Sequence, residues 1–169
     1  MIKNRVVSSN LMSLDLEEYY PEGERLTFDL AQCLYEGLIL REKDFRTFVK
    51  EYDWSIFTDK NVAIHCSVDA IVPTWAYMVL TCHIGEFANK TIVGTLEMLE
   101  MALFDEAFTK IDWTKYENQK VVVKGCSDFD VPTYVYGKVC QKLQTTAKLI
   151  MYGEPCSYVP VYKVAKKKG

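Results

Sequence analysis

The chain lacks any long apolar run. No segment reaches the roughly 18 apolar residues that a membrane-crossing helix needs. Met1 to Asn10 carries Lys3 and Arg5 but no apolar stretch of the secretory-signal kind. A basic excess is missing too. The net charge of −3 and the pI near 5.5 argue against a nucleic-acid binder. Neither a G-x-G-x-x-G string nor a Walker-type loop is present, so the common phosphate cradles are absent. Histidine occurs only twice, and no C-x-x-C pair exists. The sequence therefore offers no clear imidazole base and no zinc-finger spacing. No linker-like or low-complexity stretch divides it.

What is present is ordinary globular usage. The 169 residues are 49% hydrophobic and 25% charged, enough for a sizeable core without staples. A single cytoplasmic α/β domain is expected, with no membrane and no nucleic-acid partner. Its six cysteines then read as reduced thiols. Lys166, Lys167 and Lys168 read as a solvated tail within 165–169.

Residues 1–59 read as a helical or irregular N-terminal part packed on a core spanning 60–164. Within it, 11–30 look irregular or partly extended. Asp29 can cap a short helix, and 41–52 form a second helix with Phe45, Phe48, Val49 and Tyr52 on one stripe. From residue 60 strands and helices alternate. Val62 to Ile64, Thr91 to Val93 and Val121 to Val123 are short apolar strands. Pro73 and Pro132 open helices at their first positions, leaving Val72 and Val131 as N-caps without a side-chain oxygen. Trp75, Met78, Val79 and Cys82 are expected to face inward. The last helix is expected to keep its period through Ile150 and Met151 and to stop at Gly153. An extended end follows, Tyr158 to Val164. This alternation predicts a small three-layer domain with a mostly parallel sheet. If the crossover helices lie on opposite faces, the core strand order is 2-1-3.

One motif recurs. Cys66-Ser67 precedes Val72-Pro73-Thr74, Cys126-Ser127 precedes Val131-Pro132-Thr133, and Cys156-Ser157 precedes Val159-Pro160. Similar local needs would produce such a pattern as well as duplication would. Sites in parallel sheets form beyond the carboxyl ends of the strands. Order 2-1-3 sets the strands ending at Cys66 and Cys126 side by side, about 4.8 Å apart. Cys66, Cys126 and Cys156 are thus the candidate ligands for zinc or an iron–sulfur species. Ser67, Asp69, Ser127, Asp128, Glu154 and Ser157 stand in support. The final helix tends to carry Cys156 away from the other two, so a homodimer is one way to complete the set. Cys33, Cys82 and Cys140, on apolar stripes, read as core residues. Two other readings stay open: a thiol-dependent enzyme, and a non-catalytic binding or scaffold protein with structural cysteines.

The strings GLILREKDFR, CSVDAIVPTWAYM, VVVKGCSDFDVPTYVY and IMYGEPCSYVP resemble family 2480 of the domains of unknown function, found chiefly in Bacteroidota. The resemblance covers nearly the whole chain. It implies a bacterial cytoplasmic protein with no established activity. It also implies gene neighbourhoods that include iron–sulfur assembly genes, which makes iron–sulfur assembly proteins the expected partner class.

Overall fold

The Val- and Ile-rich runs are too short for helices and are bounded by Asp, Asn and Gly, so they extend. The computed structural model describes residues 11–124, 129–154 and 157–165. Its strands are β1 (Leu11–Asp15), β2 (Arg25–Asp29), β3 (Asn61–His65), β4 (Lys90–Val93), β5 (Lys120–Lys124), β6 (Leu149–Glu154) and β7 (Ser157–Lys163). Its helices are α1 (Glu42–Glu51), α2 (Thr74–Gly85), α3 (Leu96–Phe108) and α4 (Thr133–Gln144). Among the described residues, no helix is long and apolar enough to cross a membrane.

The chain forms two compact units. One, Glu22–Leu103, is inserted in the sequence of the other, which is split between Met1–Pro21 and Phe104–Gly169. In the inserted unit the strands run in chain order, β2-β3-β4, all parallel. Alternation sends Val62 and Ile64 to one face, where they bury with Phe28, Phe45, Val49, Ala76, Leu80 and Ile84. Ala63 faces the other way and packs with Leu99 and Leu103 of α3. The sheet thus lies between α1 and α2 on one side and α3 on the other, which is the expected three layers. In the split unit the order is β1-β5-β6-β7, with only β7 antiparallel. Leu14, Val121, Val123 and Ile150 bury against Phe104 and Phe108 of α3 and Val135, Val139 and Leu143 of α4. Each such side chain contributes on the order of 1.5–3 kcal/mol on leaving water.

The two units repeat one plan. Asp53 and Asp112 each cap a 3-10 turn, accepting from the amides of Ser55 and Thr114. The indole N–H groups of Trp54 and Trp113 donate to the carbonyls of Val49 and Phe108, at 2.9 and 3.3 Å. Asp59 and Asn118 both adopt positive φ, 60° and 58°, and donate backbone N–H bonds to Phe87 and Thr146. Gly94, just after β4, and Gly153, next to last in the matching β6, take φ of 150° and 122°. The recurrence of Cys-Ser and Val-Pro-Thr belongs to this larger repeat.

Several sequence expectations need correction. Among the described residues, the N-terminal part does not open with a helix. It begins with β1 and β2, five-residue strands that five-residue patterning alone does not separate from loop. These strands pair with β5 and β3 and take the place that order 2-1-3 reserved for a β3–β5 pairing, so β3 and β5 lie in different sheets. The crossover helices α2 and α3 do pack on opposite faces of the β2-β3-β4 sheet, but the strand that follows α3 enters the other sheet, so order 2-1-3 is not formed. Pro73 and Pro132 are the N-caps of α2 and α4, with no side-chain cap bond. On α2 the buried stripe is Ala76, Leu80 and Ile84, while Met78 and Cys82 are exposed. The last helix ends at Gln144, and Ile150 and Met151 lie in β6. The short run Leu149 to Tyr152 fits helical and strand periods equally in sequence. The helix at 41–52, the Asp29 cap and the extended C-terminal end are found, as α1, a 3-10 turn at Leu30–Cys33, and β7.

Candidate functional site

Each sheet has an aspartate at the carboxyl end of its first strand, in Leu14-Asp15-Leu16 and Phe28-Asp29-Leu30. The flanking apolar side chains are buried, which fixes the strand end and turns the carboxylate toward the edge. Both carboxylates accept the backbone N–H two residues on: Asp15 from Glu17 at 3.1 Å, Asp29 from Ala31 at 2.9 Å. Such Asx turns satisfy amides that the strand end leaves open.

In the inserted unit, Asp29 also accepts the backbone N–H of Ser67 at 3.0 Å. Its register partner is His65. Partial desolvation works to raise the Asp29 pKa. The bonds from the Ser67 hydroxyl and the Ala31 and Ser67 amides outweigh it and hold the carboxyl below its ordinary 3.8. The Cys66-Ser67 turn is therefore tied to β2 through one carboxylate. Cys66 is half-buried, and its thiol donates to the carbonyl of Val68 at 3.4 Å. Cys33 is buried at the end of the Asp29-capped turn. Burial first, and then the charges of Asp29 and Cys66, push its thiol up to about 12. Asp69 is exposed and makes no part of this network.

In the split unit, the register partner of Asp15 is Lys124. The Lys124 ammonium lies 3.4 Å from Asp15 Oδ2 and 4.0 Å from Glu154 Oε2. It spans the carboxyl ends of β1, β5 and β6. Glu154 and Ser157 are exposed. Cys126, Ser127, Asp128 and Cys156 lie outside the described residues. Cys140, on α4, is half-buried, and burial raises its thiol pKa.

Among the described residues, no group of three or more His, Cys, Asp and Glu side chains is arranged to hold a metal ion. Sequence reasoning treated Asp29 only as a cap and passed over Asp15 and Lys124. The recurring Asp after an apolar strand, each followed by Leu, was the available signal.

The chain matches the model of the protein family of unknown function DUF2480 over residues 1–164. It belongs to that family. No curated protein and no solved structure matches it. The DUF2480 match spans both units, so the repeat and both sets of strand ends lie within the family's bounds.

Proposed function

We propose that this protein binds a thiophilic metal ion, zinc or an iron–sulfur species, through Cys126 and Cys156 at the carboxyl edge of the split unit. The observation that carries this reading is the contact of Lys124 with Glu154 across the ends of the parallel pair β5 and β6. Each cysteine follows one of these residues by two positions. Neighbouring strands are about 4.8 Å apart, and two residues reach up to about 7 Å, so both sulfurs can serve one ion. Because β6 is a strand parallel to β5, the two strands that precede Cys126 and Cys156 in sequence end at the same edge of the sheet. Two thiolates fill half of a tetrahedral shell, and Asp128 and Glu154, each two positions from one of the cysteines, are the carboxylates nearest to them in sequence. Cys66 stands apart from this pair in our reading, since it follows β3 in the other sheet.

Zinc and iron per chain, measured on anaerobically purified protein, test the proposal. Metal is expected in the wild type and in Cys66→Ser, and is expected to be lost in Cys126→Ser and in Cys156→Ser. A metal-free wild type, or metal retained in both of the latter variants, overturns it.

A further inference from the structure

Gly137 sits in the middle of α4, where glycine is a poorer helix former than alanine. Neither backbone nor crowding requires it. Its φ is not among the positive ones, and a Cβ built there would meet nothing within 4 Å. What the missing side chain leaves is space. A recess of about 510 Å³ opens beside α4, lined by Tyr136, Gly137, Cys140, Ile150, Tyr152 and Val161 among others. At the matching position of the inserted unit, α2 carries Met78. That unit also lacks a counterpart of β7, whose Val161 forms part of the recess. The recess is therefore specific to the split unit and arises from two departures from the repeat.

Its chemistry is narrow. Among the described residues, no Asp, Glu, Lys, Arg or His lines it. The rings of Tyr136 and Tyr152 meet edge to face, 5.7 Å between centroids and 85° between planes. The Cys140 thiol is kept neutral by burial. The volume falls within the roughly 300–1,000 Å³ typical of small-molecule sites. We propose that this recess binds an uncharged, planar, ring-containing apolar molecule. Tyr136 and Tyr152 supply an aromatic wall, and Gly137 supplies the opening in the helix. An anion or cation would meet no charged partner among the described lining residues, and a peptide strand would find too few polar groups there to pair its backbone. This inference is independent of the thiol pair.

Nile red, a neutral planar dye, is the probe. On the wild-type chain it is expected to bind saturably, one dye per chain, with blue-shifted emission. Gly137→Met should weaken binding at least about tenfold, while Met78→Gly leaves it unchanged. On the wild-type protein the bound dye should also slow alkylation of Cys140 by N-ethylmaleimide and leave the exposed Cys82 unaffected, as read by mass spectrometry. Non-saturable dye uptake, or unaltered binding by a Gly137→Met protein with native circular dichroism, overturns the proposal. So does Cys140 alkylation that the dye does not slow, and this arm decides the matter should Gly137→Met fail to fold.

Discussion

In the inserted unit the strand-end carboxylate Asp29 is engaged by two backbone amides and holds the Cys66-Ser67 turn in place. In the split unit, among the described residues, the matching Asp15 accepts the Glu17 amide and faces Lys124, whose ammonium also reaches Glu154. The strands, the Trp-anchored 3-10 turns and the Pro-capped helices are otherwise alike. The same scaffold thus ends once in a carboxylate bonded to the Cys66-Ser67 turn and once in an ion-paired edge from which two cysteine-bearing segments depart. A repeat preserves what packing demands. Its two copies diverge where no buried side chain constrains them.

The comparison can be broken first at the core. Phe45 and Phe104 are both fully buried and hold matching places on α1 and α3. Truncating either to Ala should cost on the order of 3–5 kcal/mol. Urea unfolding followed by tryptophan fluorescence checks this. A large loss for one and almost none for the other would mean that the units are not built alike.

A smaller effect is expected at the strand ends. Asp29→Ala removes an acceptor shared by two amides and should cost about 1–2 kcal/mol. Because the Asp29 pKa is depressed in the folded state, its contribution is present above the ordinary aspartate range and is lost as pH falls through the folded value. Thermal melts from neutral to acid pH should show Asp29→Ala converging on the wild type at the acid end. A gap that persists or widens there would contradict the assignment.

The smallest effect concerns reactivity. With the Cys33 thiol pushed from 9.0 to about 12, its thiolate fraction near pH 8 falls about a thousandfold below that of an ordinary thiol. Native-state alkylation with iodoacetamide should therefore label the exposed Cys82 long before Cys33. The raised pKa also means that the neutral thiol stabilises the fold fully below about pH 9. That contribution fades as pH climbs toward 12. Early labelling of Cys33 would show that the turn capped by Asp29 does not bury it.

Much of this was legible in the residues. The alternation of apolar runs with amphipathic stretches announced an α/β protein, and the 41–52 helix and the β3, β4 and β5 runs were readable from their periods alone. The Cys-Ser and Val-Pro-Thr recurrences were visible, but not as parts of a repeat. Its first strands, β1 and β2, stand next to each other in sequence, whereas the remaining elements are separated by the inserted unit. That arrangement hid the partners of β3 and β5 and made a single sheet the simplest guess. On α2, Trp75 and Val79 do pack half-buried against the core, but Met78 and Cys82 were misread, because they are as apolar as Ala76, Leu80 and Ile84. Nearly uniform apolarity leaves no moment to orient the helix. Lys124 was overlooked because a cation at a strand end acquires meaning only through its neighbours, and those come from β1 and β6.

The most direct test of the thiol pair is disulfide trapping. Mild oxidation of metal-free protein with diamide, followed by peptide mapping, should yield a bond between Cys126 and Cys156, since the adjacent strand ends fit the roughly 5.5 Å Cα separation a disulfide needs. Recovery of Cys126 and Cys156 as free thiols, or of Cys126 joined to Cys66, would contradict the account.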